Sequence, residues 1–427
     1  MTMDHSKFLK KQKVQLFWAL FLMTACFFTW SENIIITRGI KVVGRLGVLY
    51  WSYAIFQNII KYGAVDSLKW KNVLSPLMYV MYLFLGFMSL LWSTNVGYSA
   101  LQLFMTAQTL VFCYFFIKSI YLLDKYFPEH TIKFYNLLGN SVFILILIFV
   151  IGMWVNPDVF YRLTNGGEEA RLGGYMMNPN ELGMLAGVGV AGLLFDIKRK
   201  HQIGWTVFKL LIIFYGLYET GSRSSLIGAF LIIAFHLKQL SDPKIIITAS
   251  IVLFSVMPYA VNKIILKDGD PERLEEILTL TGRLPFWTAL INEGLPREPL
   301  LGFGFMRIDY TESFQSENTY AGKMTHNTFM QVLVNLGFIG LTIVFFQLLF
   351  TFKGIAKETE ETKLMLYCIL IPLIINSFTE FGVFGESNYG ILFYQLIIMY
   401  VSFGHNKMLT RKQKLALKKK RSDLVIN

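Results

Sequence analysis

Charged residues and cysteines are both scarce in this chain. Asp, Glu, Lys and Arg make up only 16% of its 427 residues, whereas a soluble domain carries about 25%. The three cysteines, Cys26, Cys113 and Cys368, lie far apart in apolar stretches, which excludes a disulfide framework and a cysteine-based metal site. With 54% hydrophobic residues, the composition excludes a disordered or collagen-like chain and is typical of an all-α polytopic membrane protein.

A cleavable signal peptide is also missing from the N-terminal region. Lys7, Lys10, Lys11 and Lys13 lead directly into the first apolar segment, and no small-residue cleavage site follows that segment. A secretory signal peptide would end in such a site. We therefore interpret the first apolar segment as the first membrane span.

Twelve apolar segments approach the length that a membrane-spanning helix needs, about 17–25 residues. Segments 73–92 and 134–155 contain no charged residue, whereas 34–60 is interrupted by three basic residues. We predict about 12 transmembrane helices in a single transmembrane domain that covers residues 1–427. The twelve segments are 14–30, 34–60, 73–92, 98–120, 134–155, 180–196, 204–219, 222–238, 245–262, 328–352, 364–380 and 388–404.

Basic residues are concentrated on alternate connections between these segments. If the N-terminus is cytoplasmic, the inner connections and the C-terminal tail hold most of the Lys and Arg, as the positive-inside rule requires. We predict an even number of spans, cytoplasmic termini and a basic cytoplasmic tail at 405–427. The net charge of +12 then reflects topology and contact with anionic lipid, and we expect no nucleic acid partner.

One connection is much longer than the others. Residues 263–325 form a polar segment on the predicted extracytoplasmic side, and a connection of this length is usually functional. Asp270-Pro271 is typical of a helix start, and a further helix after Thr281 would end at Gly294. We predict that 263–325 is a helical extracytoplasmic loop within the transmembrane domain.

The type of basic residue changes with the side of the membrane. Lysine dominates the inner connections and arginine the outer ones, although either residue satisfies the topology rule. Because arginine presents a planar fork that binds phosphate bidentately, the outer arginines predict a phosphate or pyrophosphate ligand. Ion pairing with acidic loop residues such as Glu272 is the alternative. The outer arginines are Arg162, Arg171, Arg223, Arg273, Arg283, Arg297 and Arg307.

His326 is the histidine on the predicted outer side; the other five fall on inner segments. It lies where the long loop re-enters the membrane. A histidine at that position exchanges a proton near neutral pH, so we consider it a candidate catalytic residue, with a structural role as the alternative.

Three basic residues interrupt the second apolar segment. Arg38, Lys41 and Arg45 are spaced by three and four residues and therefore lie on one helical face. Charges at this depth usually face a cavity or a partner. They predict a groove for a lipid phosphate, unless the helix begins later and they lie in the interface.

Four short motifs occur on the predicted outer side. The third is followed four residues later by Trp287, and LGFGF (301–305) lies between the last two. The motifs are RLGGYMMNPNE (171–181), GSRSS (221–225), TGR (281–283), and HN (326–327) followed by Gly337 and Gly340.

This set resembles the O-antigen ligase/O-antigen polymerase superfamily of bacterial membrane glycosyltransferases, over about residues 160–390. The resemblance implies a multi-helix membrane fold of the GT-C-like kind, in the bacterial inner membrane, with an extracytoplasmic active site. It also implies transfer of an undecaprenyl-pyrophosphate-linked glycan to an acceptor hydroxyl, with no metal and no nucleotide cofactor. A chain-length regulator and a flippase are further partners that it suggests.

The residues that match the functional positions of this superfamily are Arg223, Arg283 and His326. The expected roles are a pyrophosphate clamp for the two arginines and a base or acceptor-orienting group for His326. Reserve bases are Glu219, Glu293, Glu317 and Glu380. Candidate substrate-binding residues are Arg171, Tyr175, Asn180, Arg307 and Asn327, although helix capping explains the asparagines equally well. The outer aromatic residues Trp287, Tyr310, Phe314 and Tyr320 would stack on sugars or anchor the interface.

The motifs do not distinguish two reactions of this superfamily. A polymerase joins lipid-linked repeat units, whereas a ligase transfers the finished glycan to lipid A core or protein. We favour the polymerase, because that reaction is widespread and the long loop is compact. A lipid-linked oligosaccharide flippase is the alternative from another class, but it would place its basic residues in a central cavity between paired halves.

Overall fold

Helices account for most of the chain in the computed structural model. The structure describes residues 3–62, 64–127, 132–164, 169–198, 203–237, 283–305, 325–380, 382–405 and 413–418. The helices in these ranges are α1 (Met3–Ala25), α2 (Ile34–Gly39), α3 (Arg45–Lys61), α4 (Leu74–Met88), α5 (Val96–Tyr126), α6 (Phe134–Val155), α7 (Pro157–Phe160), α8 (Pro179–Lys198), α9 (Ile203–Glu219), α10 (Arg223–Leu237), α11 (Arg283–Ala289), α12 (Thr328–Ala356), α13 (Glu360–Thr379) and α14 (Tyr389–Ser402).

Three short segments of other helical types extend these helices. A π-helical turn, Ile40–Gly44, joins α2 to α3, so that the segment predicted at 34–60 is continuously helical. A 3₁₀ turn, Ser89–Leu91, extends α4. A second π-helical turn, Leu290–Gly294, extends α11 and ends at the glycine where the sequence predicts the helix to stop.

The helices support a multi-pass membrane protein. Each predicted span that falls in the described residues coincides with a helix, while 245–262 lies outside them. By length and composition, five described helices are able to cross a bilayer, namely α4 with its 3₁₀ turn, α5, α6, α12 and α13, and α10 and α14 are shorter apolar helices. The fold class is therefore all-α, and the number of twelve spans stays a prediction.

The described strands form two small antiparallel pairs, neither of which the sequence predicts. Strands β1 (Leu68–Trp70) and β4 (Phe403–His405) pair near one end of the helices, with Leu68 opposite His405. Strands β2 (Tyr161–Thr164) and β3 (Glu169–Leu172) form the second pair between α7 and α8, with Arg162 opposite Arg171. The second pair positions Arg171 beside the start of α8.

Small residues allow three helices to pack closely beneath the polar motifs. Helices α8, α10 and α13 all contact one another. A Cβ atom on Gly187 of α8 would lie 2.9 Å from the Cβ of Pro372, and one on Gly228 of α10 would lie 3.4 Å from its Cα. Close approach at small residues is the usual mode of helix association in a membrane. It brings Asn180, Arg223 and Glu380, at the ends of these helices, into one region.

Helix α12 contains a kink that the loop before it stabilises. Gly337 has φ 63° and ψ −166°, and a Cβ there would lie 2.2 Å from the backbone of Leu300. The segment 299–304 donates to and accepts from this part of α12, for example through Gly304 N and Asn335 O at 2.9 Å. Both glycines of the LGFGF stretch are sites of close packing, Gly302 against the backbone of Asn335 and Gly304 against Ser93.

A small apolar cluster attaches α11 to α12. Phe286 and Leu290 pack on Val334, with Trp287 and Phe303 beside them. This cluster fixes the helix that begins at Arg283. The remainder of the predicted loop 263–325 and most of the predicted tail 405–427 lie outside the described residues.

Candidate active site

Glu380 lies where three separate parts of the chain meet. It follows the last residue of α13 and its side chain is 8% exposed. Oε1 accepts a hydrogen bond from Arg283 NH2 at 2.8 Å and another from Asn180 Nδ2 at 2.8 Å. Oε2 lies 2.8 Å from His326 Nδ1. The carboxylate therefore connects the starts of α8, α11 and α12.

The backbone around His326 holds the ring at the start of α12. His326 adopts φ 49°, which lies in the left-handed region that few residues other than glycine occupy. Asn327 next to it is the N-cap, since its Oδ1 accepts from Phe329 N at 2.9 Å and Met330 N at 3.1 Å. Its Nδ2 donates to Phe378 O at 3.2 Å. The cap uses the oxygen of the Asn327 amide and the bond to Phe378 uses its nitrogen. These bonds give Asn327 a structural role, whereas the sequence also makes it a candidate substrate-binding residue.

Arg283 bridges the end of α13 and the start of α11. One arm of its guanidinium donates to Glu380, and NH1 donates to the backbone carbonyl of Thr379. Its Nε is buried and makes no hydrogen bond within the described part of the chain. Trp287, one helical turn later, donates to Thr325 O at 2.7 Å. Helix α11 is thus tied to both the Glu380 and the His326 segments.

Arg171 reaches the same site from strand β3. Its Nε donates to Thr220 O and its NH2 donates to Asn180 Oδ1, each at 2.7 Å. The side chain lies against Gly221, where a Cβ would be 3.2 Å from Nε and where φ is 58°. The first two sequence motifs therefore contact each other through this arginine.

Arg223 begins α10, and the serines around it fix that helix end. Ser224 Oγ donates to Asn376 Oδ1 at 3.1 Å, and Ser225 Oγ donates to Asn180 O at 3.4 Å. The half-buried Arg223 lies within electrostatic reach of Arg171. Its position at a helix N-terminus adds backbone N–H groups that favour an anion.

Three arginines and several carboxylates determine the electrostatics of the site. Burial lowers the pKa of Arg171 below its usual value, while Glu169 and Glu380 raise it and Arg223 lowers it further. Arg171, Arg223 and Arg283 therefore lie around Glu380, and the carboxylates of Glu169 and Glu181 are also within electrostatic reach of this region. Guanidinium groups that are fixed in this way are suited to bind phosphate groups.

The same surroundings make Glu380 a poor base. Burial alone would raise the pKa of its carboxyl, but the hydrogen bond and charge of His326, together with Arg283, more than offset this and hold the pKa below its usual 4.5. A carboxylate that is stabilised in this way does not readily accept a proton near neutral pH. Because histidine is the side chain that most often acts as a general base, His326 is a better candidate than Glu380.

Other predicted site residues lie in different surroundings. Arg38 is exposed and Lys41 is half-buried, whereas Arg45 is 1% exposed, donates to Ser387 Oγ at 2.7 Å and stacks on Phe27. Arg45 is therefore directed into the protein, and the groove for a lipid phosphate stays a prediction.

The remaining predicted residues divide between exposed, paired and undescribed positions. Tyr175 is 43% exposed. Glu219 Oε2 accepts from Tyr161 OH at 2.9 Å, and Glu293 is half-buried in the turn after α11. Arg307, Glu317 and the aromatic residues Tyr310, Phe314 and Tyr320 lie outside the described residues. Among the residues that the structure does describe, no group of three His, Cys, Asp or Glu side chains forms a metal site.

Sequence reasoning ranks Glu380 only as a reserve base and so misses its central position. Its sequence position does contain a usable signal, because a carboxylate at the end of an apolar helix requires a cationic partner. The identity of the partners follows only from the folded structure, since Glu380 is separated from Asn180 by 200 residues.

Comparison with known proteins agrees with these observations. A search of the curated proteins finds no match. Residues 208–345 match the family model that is described as O-Antigen ligase, and this interval contains Arg223, Arg283 and His326. Members of that family are glycosyltransferase-like enzymes. The match confirms the resemblance that the motifs indicate, and over residues 208–345 it supports a similarity to the O-antigen ligase/O-antigen polymerase superfamily.

Proposed function

We propose that this protein polymerises the repeat units of a surface polysaccharide, such as O-antigen, capsule or exopolysaccharide. It transfers an undecaprenyl-pyrophosphate-linked glycan to a sugar hydroxyl at the outer leaflet of the bacterial inner membrane. The observation that carries the proposal is the meeting of Arg283, His326 and the Arg171–Asn180 pair at Glu380. This arrangement combines anion-binding groups with one group that exchanges a proton.

The arginines are suited to the donor side of the reaction. When the bond between the anomeric carbon and the pyrophosphate breaks, the leaving group gains negative charge. Guanidinium groups that are already fixed, such as Arg283 on Thr379 and Glu380, stabilise that charge in the transition state. Arg223 and Arg171 add positive charge from α10 and β3. With this charge compensation, we propose a reaction that needs no metal ion and no nucleotide.

His326 is suited to the acceptor side. The acceptor hydroxyl oxygen forms the new bond to the anomeric carbon and gives its proton to the imidazole. Undecaprenyl pyrophosphate leaves with the electron pair of the broken bond. General-base assistance of this kind contributes about 10²–10⁴-fold to a rate.

The location follows from the charge distribution in the sequence. We propose twelve spans with both termini in the cytoplasm and the Glu380 region on the extracytoplasmic side. The lysines of the inner connections support this orientation. The partners that we propose are the lipid-linked oligosaccharide, a glycan acceptor, membrane lipids, a chain-length regulator and a flippase that delivers the donor.

A ligase is the second candidate, because the matched family model is described as O-Antigen ligase. Its acceptor would be lipid A core or a protein instead of another repeat unit. The flippase is less well supported, since Asn180, Arg223, His326 and Glu380 all lie at helix ends. A flippase would instead distribute such residues along a central cavity.

The test is deletion of the gene, followed by electrophoresis of surface glycan and of lipid-linked glycan. Single repeat units without long chains are the expected result for a polymerase. Long chains that remain on undecaprenyl pyrophosphate would show a ligase. Lipid-linked units that accumulate only on the cytoplasmic side would contradict both enzymes and show a flippase.

Complementation of the deletion strain then tests the site. We expect Arg223→Ala, Arg283→Ala and His326→Ala to restore the protein but not the polymer, since loss of one charge-stabilising donor costs about 3–4 kcal/mol. Arg199→Ala and His201→Ala are matched controls on a predicted inner connection and should restore full polymer. Full polymer from an Arg283→Ala or His326→Ala strain would remove that residue from the proposed machinery.

A further inference from the structure

We infer that Arg171, Asn180 and Glu380 form a directional hydrogen-bond chain that sets the tautomer of His326, with Glu380 as its positioning residue. This inference rests on the proposed function, because it concerns the group that accepts the proton of the acceptor. It assigns to Glu380 a role through His326 and not a contact with substrate.

The direction of the chain is fixed at Arg171. Arginine has only donors, so the Asn180 atom that lies 2.7 Å from Arg171 NH2 has to be the carbonyl oxygen, Oδ1. The amide nitrogen, Nδ2, is then on the other side, where it lies 2.8 Å from Glu380 Oε1. Asn180 thus receives a hydrogen bond from Arg171 and donates one to Glu380.

The hydrogen bond between Glu380 and His326 determines which ring nitrogen is protonated. Its Oε1 already accepts from Asn180 and from Arg283 NH2, and its Oε2 lies 2.8 Å from His326 Nδ1. An ionised carboxylate only accepts hydrogen bonds, so Nδ1 has to carry a proton. In the neutral imidazole the lone pair is then on Nε2, which becomes the atom that accepts the proton of the acceptor hydroxyl.

The chain is protected from water. The side chain of Glu380 is 8% exposed, that of Arg283 14% and that of His326 19%. Hydrogen bonds are stronger in such an environment than in water, and they reinforce one another along a chain. A residue 155 positions before His326 in the sequence, Arg171, is therefore able to define which nitrogen of its ring is protonated.

The substitution Glu380→Gln reverses the direction of the hydrogen bond to His326 and keeps the size of the side chain. Arg283 and Asn180 both donate, so the new amide has to present its oxygen to them and its NH2 group to His326. That NH2 group donates to Nδ1 and places the ring proton on Nε2. The ring is then the wrong tautomer to accept a proton, although Arg283 keeps its partner.

We therefore expect Glu380→Gln to lower kcat about 10²-fold or more, the size of a general-base contribution, with little change in the KM of the donor. The assay uses the full-length protein in lipid nanodiscs and the lipid-linked glycan isolated from the deletion strain. Glu358→Gln is the matched control, because Glu358 is paired with Lys71 at 2.6 Å beyond the opposite end of α12. It should leave kcat unchanged.

A second measurement uses the unaltered ring. In ¹⁵N-histidine spectra, comparison with the His326→Ala variant assigns the resonances of His326. The unsubstituted protein should show neutral His326 protonated on Nδ1, and Glu380→Gln should show it protonated on Nε2. The Nε2-protonated form in the unsubstituted protein would overturn the inference, whether or not the variant folds.

Different outcomes would reject the positioning role of Glu380 and the proposed function. Normal kcat for Glu380→Gln, beside inactive His326→Ala and Arg283→Ala variants, would reject the positioning role and leave the proposed function intact. Active His326→Ala and Arg283→Ala variants would reject the proposed function itself.

Discussion

At the scale of single residues, Glu380 shows how a buried charge is stabilised by its neighbours. An isolated carboxylate in an apolar environment is very unfavourable, and removal of one partner from a buried ion pair typically costs about 3–5 kcal/mol. Here Arg283 and His326 provide the compensating groups, and Asn180 donates a further hydrogen bond. The three polar segments of the site are thus mutually dependent, so a change in one of them affects the others.

The hydrogen bonds of Arg283 predict that activity depends on the planar shape of its guanidinium as well as on its charge. One arm of the fork donates to Thr379 and the other to Glu380, a pair of acceptors that a single ammonium group does not reproduce in the same orientation. A hydrogen bond to a charged group is worth about 1.5–3 kcal/mol, so we expect Arg283→Lys to lower kcat/KM at least about tenfold. Steady-state kinetics in nanodiscs measures the effect, with Arg199→Lys as the control. Near-normal activity would mean that charge alone suffices at residue 283.

At the scale of elements, Gly337 makes the junction between α12 and the preceding loop possible. Its φ of 63° with ψ of −166° is a conformation that essentially only glycine adopts. The freed backbone groups of α12 are bonded by the loop, as in Phe338 N to Pro299 O at 2.8 Å. Because α11 packs on this same part of α12, the kink also supports the helix that begins at Arg283.

We expect Gly337→Ala to destabilise the protein. A Cβ would lie 2.2 Å from the Leu300 backbone, and the strained backbone alone costs about 1–3 kcal/mol. Gly47→Ala is the matched control, since a Cβ there meets nothing within 4 Å and alanine is favoured over glycine in a helix. Fluorescence-detected size-exclusion after heating measures both variants. Equal thermal stability of the two variants would contradict the structural role of the kink.

The elements that the sequence predicts well are those with a strong local pattern. Apolar runs locate the helices, and Gly294 marks the end of the helical segment after Arg283, because both follow from composition and chain stiffness. The β2–β3 pair is not predicted, since its strands are four residues each and rich in charge. Its formation depends on packing beside α7 and α8, which no short sequence window contains.

In the candidate site, too, the sequence identifies some residues and misses others. Arg223, Arg283 and His326 stand out in the sequence through residue type and motif, whereas the central role of Glu380 does not. That role depends on contacts with residues 54, 97 and 200 positions away. Arg38, Lys41 and Arg45 are a further example. Their helical spacing places them on one face but does not indicate that the guanidinium of Arg45 lies over the ring of Phe27.

At the scale of the whole molecule, function depends on which face of the membrane holds the Glu380 region. The donor that we propose is presented at the outer leaflet, so a cytoplasmic site would exclude the reaction. The charge pattern predicts that the segment 283–305 is extracytoplasmic and that the tail at 405–427 is cytoplasmic. These two predictions are independent of the contacts within the site.

Cysteine labelling tests the orientation directly. The native cysteines Cys26, Cys113 and Cys368 are all buried and should react poorly with a membrane-impermeant maleimide. We expect Leu300→Cys, at a position that is 60% exposed, to be labelled in intact spheroplasts, and Leu415→Cys, at a position that is 61% exposed, to be labelled only after permeabilisation. Labelling of both before permeabilisation would mean that the two positions share a side and that the number of spans between them is even. The reverse pattern would place the Glu380 region in the cytoplasm and would rule out an outer-leaflet transferase, because a pyrophosphate-linked glycan would not reach the arginines.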